Sequence, residues 1–122
     1  MIKQRICIVG DGLSGLMTAA VLAKVPGIEV NLIAKKGIKN ADKRTTAISD
    51  TNYKFINKNI TSLGSKFFWP SKKIELFYET SKESINFLNL NEANSNLMYV
   101  FENDKVKSIL LKEISKNKIK LI

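Results

Sequence analysis

The sequence predicts an α/β fold built on a parallel sheet. Three observations predict it. An apolar strand runs into a glycine turn and a helix, a second strand follows that helix directly, and a helix and strand close the 122 residues. The length allows one domain at most. With 44% hydrophobic and 25% charged residues, the chain can bury a core.

Residues 5–10 (RICIVG) are a short, apolar, β-branched run, the pattern of a buried parallel strand. Residues 13–24 follow with good helix formers, and Leu16, Ala19, Ala20 and Ala23 line one face. Pro26 and Gly27 end that helix. Residues 29–34 (EVNLIA) read as a second strand. Together these form a βαβ unit of Rossmann type, whose crossover is right-handed almost without exception. Residues 35–44 are a polar, lysine-rich loop. A helix is expected next, with Ile48, Phe55, Ile56 and Ile60 on one face and Gly64 closing it. Phe67, Phe68, Trp69 and Pro70 make a bulky apolar corner. Residues 73–80 and 84–90 read as antiparallel strands, and 99–101 as another. Residues 104–115 read as a helix carrying Val106, Ile109, Leu110 and Ile114, with Asp104 as a candidate cap. Residues 118–122 read as a third parallel strand. Three parallel strands leave an edge open and apolar surface uncovered. The sequence is therefore expected to be the N-terminal part of something longer.

Charge and composition exclude several function classes. The net charge is +9, but only Arg5 and Arg44 among the 20 basic residues are arginine. Nucleic-acid readers lean on arginine, whose planar fork pairs with guanine and phosphate. No nucleic-acid partner is expected; a peripheral contact with an anionic membrane fits the charge better. The absence of histidine excludes a Ser-His or Cys-His pair and a histidine-ligated metal within this chain. One cysteine, Cys7, rules out an internal disulfide and fits a reducing compartment. Mid-strand, it reads as a small core side chain. The apolar stretch 6–22 resembles a secretory signal, but Asp11 and three glycines interrupt it. A cytoplasmic protein is expected, peripheral at most to the inner face of the membrane.

The chemistry lies in Gly10-Asp11-Gly12-Leu13-Ser14-Gly15, a GxGxxG turn that follows a strand and opens a helix. Gly10 allows the turn, Gly12 lets backbone approach a pyrophosphate, and Gly15 lets helix and strand pack closely. The helix start, with Leu13 and Ser14, presents free N–H groups and partial positive charge to phosphates. Dinucleotide binding is expected. Two residues depart from the fingerprint. Ala34 stands where an acidic residue usually binds the adenosine ribose, leaving ribose to backbone or water. Asp11 puts a negative charge beside the pyrophosphate and must point away. Lys35 and Lys36 either accept a 2′-phosphate, favouring NADP, or are solvated loop lysines. Arg44, in DKRTTAIS, either forks onto pyrophosphate oxygens or pairs with Asp42, and Thr45 or Thr46 is a candidate helix start. Tyr78, Tyr99 and Trp69 read as core packing rather than substrate contacts.

Taken in order, GDGLSGL, DKRTTAIS, the FWP corner and MYVFENDKVKSILL resemble the flavoprotein aromatic hydroxylases of the p-hydroxybenzoate hydroxylase type. They look closest to the branch that hydroxylates polyprenyl-phenol precursors of ubiquinone. The resemblance covers the whole chain, at the N-terminal third of such an enzyme. It implies a Rossmann-type FAD-binding domain over residues 1–122, incomplete, with residues 67–101 contributing to an antiparallel sheet that covers the substrate. It implies FAD as cofactor, with Gly10, Gly12, Leu13, Ser14 and Gly15 at the pyrophosphate and Arg44 and Asn103 touching FAD. It implies NAD(P)H as transient reductant and a polyprenylated aromatic substrate. The family's second FAD motif, a Gly-Asp segment far downstream, is missing here. The chain alone is therefore expected to be inactive, and no catalytic acid or base is nominated. Two alternatives stand: another FAD- or NAD(P)-dependent oxidoreductase sharing the βαβ unit, or a truncated, non-catalytic nucleotide binder.

Overall fold

A computed structural model of the chain describes residues 4–34, 41–117 and 119–122. Strand β1 (Gln4–Val9) leads through the glycine turn into helix α1 (Leu13–Leu22), and strand β2 (Ile28–Ile33) returns beside β1. The two strands are parallel, with Ile6 opposite Val30 and Ile8 opposite Leu32. Helix α1 ends two residues before the patterned run does, because its last turn tightens: the Lys24 and Val25 N–H groups bond Val21 and Leu22 carbonyls three residues back. Gly27 then takes φ 81°, which frees the chain to turn into β2.

Thr45 and Thr46 do not start a helix. Strand β3 (Thr45–Ser49) precedes helix α2 (Asp50–Asn59), whose N-cap is Ser49, its hydroxyl accepting from the Asn52 N–H at 3.2 Å. Ile48 therefore belongs to a strand, not to the helical face assigned from spacing. The Lys24 ammonium donates to the Asn59 and Ile60 carbonyls, closing the C-terminus of α2 from the end of α1. A 3₁₀ turn (Ser65–Phe67) leads to the short strand β4 (Trp69–Ser71). Strands β5 (Lys73–Glu79) and β6 (Ser84–Asn91) form an antiparallel hairpin with an irregularity after Leu76. Strand β7 (Met98–Glu102) runs into helix α3 (Asn103–Lys116), and strand β8 (Lys120–Leu121) ends the chain's regular structure.

Three sheets result. The parallel sheet has the order β1-β2-β8, so the final strand is its third parallel member. The second sheet is antiparallel, β3-β7-β4, and the hairpin β5-β6 stands apart. Residues 67–101 are thus divided between two sheets. Both α1 and α3 cover one face of the parallel sheet. Leu16, Ala19 and Ala20 of α1 meet Val106, Leu110 and Ile114 of α3 over Val30 and Leu32. The core continues beneath the antiparallel sheet through Ile56, Ile60, Phe68 and Phe101. There Tyr53 stacks on Tyr99 with ring centroids 3.8 Å apart.

Several residues expected in the core lie elsewhere. Cys7 is exposed, because it points to the sheet face opposite the helices, alongside Val9 at 80% exposure. Tyr78 and Trp69 are also exposed, Tyr78 on the hairpin and Trp69 on a sheet margin under the Lys105 ammonium. Tyr99 does pack against the core. Asp104 is not the cap of α3: the N-cap is Glu102, with no side-chain capping bond. Among the described residues no helix is long and apolar enough to cross a membrane.

Candidate functional site: a dinucleotide cradle

The three glycines of the turn meet three different constraints. Gly10 adopts φ 110°, a conformation that side chains disfavour, and its N–H bonds the Ile33 carbonyl at 2.9 Å. A Cβ on Gly15 would lie 2.2 Å from the Gly10 carbonyl oxygen, so helix and turn are packed to contact. A Cβ on Gly12 would meet nothing within 4 Å. Gly12 thus faces open space, and its bare backbone is not needed for packing. Gly12 is also the N-cap of α1, extended at φ −70° and ψ 172°, with no side-chain cap and no acidic residue in the helix's first turn. The helix therefore opens without a side-chain cap from its N-cap residue, and its first backbone N–H groups are a donor set that suits an anion.

That open space is a cavity of about 310 Å³. Gly12 and Leu13 form one side, and Asp42, Arg44, Thr45 and Thr46 another. Asn103 and Lys107, one turn apart on α3, close it. Of the residues assigned to the cofactor from sequence, Gly12, Leu13, Arg44 and Asn103 come together here. Gly10, Ser14 and Gly15 do not line it; Gly10 and Gly15 shape the turn, and the Ser14 carbonyl accepts from the Thr18 hydroxyl at 2.8 Å. Lys35 and Lys36 lie outside the described residues.

The far wall is a connected polar network. The Arg44 fork grips the Asp42 carboxylate, Nε to Oδ1 at 2.7 Å and Nη2 to Oδ2 at 2.8 Å. Asn103, 7% exposed, donates from Nδ2 to Asp42 Oδ2 at 3.1 Å and accepts at Oδ1 from the Thr46 hydroxyl at 2.6 Å. Its backbone N–H bonds the Arg44 carbonyl at 3.0 Å. The Arg44 fork first, and then the Asn103 amide, hold the Asp42 carboxyl well below the usual carboxylate range. Asp42 in turn raises Arg44. Of the two roles open to Arg44, the pairing with Asp42 is formed, and Arg44 still borders the cavity. The Asp11 carboxylate lies 3.4 Å from the Lys107 ammonium and is 18% exposed.

Asp42, Thr46 and Lys107 were not assigned to the cofactor from sequence, where Asp42 stood only as a possible partner of Arg44 and Thr46 as a candidate helix start. Asp42 and Thr46 carried a signal, since both flank Arg44 in DKRTTAIS. Lys107 carried one only in retrospect, four residues after Asn103 and so on the same helix face.

No protein-family model matches the sequence, and no curated protein matches it. Solved structures do. The chain aligns with 2-methyl-3-hydroxypyridine-5-carboxylic acid oxygenase at TM-score 0.70 and 14% identity, covering 98% of this chain and 31% of that one. The fold, a parallel sheet with separate antiparallel sheets, matches that of the N-terminal fragment of FAD-binding monooxygenases. The p-nitrophenol 4-monooxygenase PnpA from Pseudomonas putida DLL-E4 gives TM-score 0.70 and 15% identity, over 99% of this chain and 31% of that one. A geranylgeranyl bacteriochlorophyll reductase-like protein from Thermoplasma acidophilum gives TM-score 0.64 and 20% identity, over 99% and 30%. The chain spans about a third of the length of these proteins. In this fold the cavity lies where β1, α1, β3 and α3 converge, at the carboxyl end of β1, the position that open α/β sheets use for ligands.

Proposed function

We propose that this chain is the dinucleotide-binding part of an FAD-dependent monooxygenase that hydroxylates an aromatic ring. The substrate proposed is a polyprenylated phenol of ubiquinone biosynthesis, with NAD(P)H as reductant and O2 as oxidant, in the cytoplasm or at the inner face of the membrane. The single observation that carries the reading is the cradle at Gly12. Open space sits before an uncapped helix N-terminus, and an arginine forms part of the opposite wall. A pyrophosphate needs backbone donors, close approach and a cation, and these residues supply all three.

When bound, FAD would supply the redox chemistry, passing electrons from NAD(P)H to O2 so that one oxygen atom enters the ring. The chain's own residues bind and orient. Gly12, Leu13 and the first turn of α1 would hold the pyrophosphate. Arg44 and Asn103 would contact the cofactor from the other wall, and Lys107 keeps Asp11 occupied. Ribose recognition falls to backbone or water, because Ala34 has no carboxylate and its N–H is already bonded to the Ile122 carbonyl. The hairpin β5-β6, with Ile74, Leu76, Tyr78, Ile85, Leu88 and Leu90 along one face by its register, would contribute to the substrate-covering sheet. One observation favours a second reading, a different oxidoreductase on the same unit: the reductase-like protein shares more identity with this chain than the oxygenases above do.

Fluorescence and calorimetric titration of the chain with FAD, NADP and NADPH tests the proposal. FAD binding that is lost in Gly12→Val is the expected result. Binding of NADP but not FAD would move the assignment to the second reading. Binding of none would leave the fold without the function.

A further inference from the structure

We infer that Asp42 is a positioning residue of the dinucleotide site: it holds the Arg44 guanidinium rigidly at the cavity wall and so sets affinity for the pyrophosphate. The inference rests on the dinucleotide reading above and adds a role for a residue that no anion would attract.

Charge alone makes Asp42 a poor choice beside a phosphate site. Of the charged residues lining the cavity, Arg44 and Lys107 suit a diphosphate, and the Asp42 carboxylate opposes it. Geometry gives Asp42 its use. Arg44 is 82% exposed, and a free arginine side chain there would sample many rotamers. Asp42 removes that freedom by taking two parallel N–H bonds. A guanidinium has five N–H donors, and among the described residues the donors Asp42 leaves have no protein partner. They remain available to a ligand in the cavity that Arg44 lines.

Asp42 is itself immobilised. Its oxygens also accept the Arg44 backbone N–H at 3.2 Å and the Asn103 amide at 3.1 Å. Asn103 is buried and bonded to Thr46, so the chain of contacts runs from the β3–α3 junction out to the exposed fork. A carboxylate whose four acceptor sites are all filled has no capacity left for ribose hydroxyls, which argues against a direct ligand role. It acts through Arg44.

The two roles give opposite signs. If Asp42 mattered only as a charge, Asp42→Asn would remove a repulsion and tighten phosphate binding. If it positions Arg44, Asp42→Asn weakens binding despite removing that repulsion. The experiment titrates ADP and FAD into the full chain and into Asp42→Asn, Asp42→Glu, Arg44→Ala, Arg44→Lys and the double variant Asp42→Asn/Arg44→Ala. Asp42→Asn is expected to weaken ADP binding roughly fivefold or more, within the usual range of pairwise coupling. Asp42→Glu is expected to recover part of the loss. Adding Asp42→Asn to Arg44→Ala is expected to change nothing further. Arg44→Lys, which keeps the charge but not the fork, is expected to bind as weakly as Arg44→Ala. Equal or tighter ADP binding in Asp42→Asn overturns the inference while leaving the dinucleotide reading intact. A wild-type chain that binds neither ADP nor FAD overturns both. Should Asp42→Asn fail to fold, Arg44→Lys decides: affinity equal to wild type overturns the positioning role, and affinity equal to Arg44→Ala supports it.

Discussion

Gly12 and Gly15 sit three residues apart, and a methyl group has opposite consequences at each. At Gly15 it would press on the Gly10 carbonyl at 2.2 Å, so Gly15→Ala is expected to cost about 1–3 kcal/mol, the range for overpacking, read by chemical denaturation. At Gly12 it meets open space, so Gly12→Val is expected to fold with an unchanged unfolding midpoint and to lose dinucleotide binding. Loss of stability with retained binding would reverse the two assignments. Arg44→Ala is expected to weaken FAD binding roughly tenfold or more, as for a hydrogen bond to a charged group. The Asp42 carboxyl is depressed in the fold, chiefly by Arg44. Its stabilising contribution is therefore complete above the ordinary value of 3.8 and fades as pH falls below it. Ligand affinity limited by this pair is expected to stay flat from about pH 5 to 8. At this scale the glycine motif was readable because spacing, strand and helix all lie within a dozen residues. Of the Asp42 network only the neighbouring Arg44 was readable, because Asn103 is 61 residues away.

Helix α3 and strand β3 are joined at one residue, Asn103, whose bonds to Thr46 and Asp42 fix the start of the helix against the start of the strand. Asn103→Leu, similar in size but unable to bond, is expected to destabilise the fold by about 1–3 kcal/mol by stranding its half-buried partners Thr46 and Asp42. Thermal unfolding measures this, and an unchanged midpoint would show the junction to be held by backbone pairing alone. Helix α2 depends on the Ser49 cap, and Ser49→Ala should cost about 1 kcal/mol. Periodicity misread this region. Thr45–Ser49 is short, and what makes it a strand is pairing with Met98–Glu102, a partner that no local window contains. Strands β5 and β6 were legible because their alternation and the short link between them are both local.

Across the whole molecule, burial is one-sided. The helices cover one face of the parallel sheet, while Cys7 and Val9 stand exposed on the other. The hairpin adds exposed Tyr78, Phe77 and Phe87. Such apolar surface promotes association. The chain is expected to self-associate with rising concentration in sedimentation, and Val9→Lys with Phe87→Lys is expected to suppress this without lowering the unfolding midpoint. The sequence by itself determined the βαβ unit, the glycine turn, the third parallel strand and the hairpin, since each is written in contiguous residues whose period and turn chemistry act locally. Tertiary structure alone decided that Cys7 faces outward, that Thr45–Ser49 is a strand, and that Asp42, Asn103 and Lys107 meet around Gly12. Those outcomes depend on which distant surfaces come into contact, and no local pattern encodes a contact that only the folded chain creates.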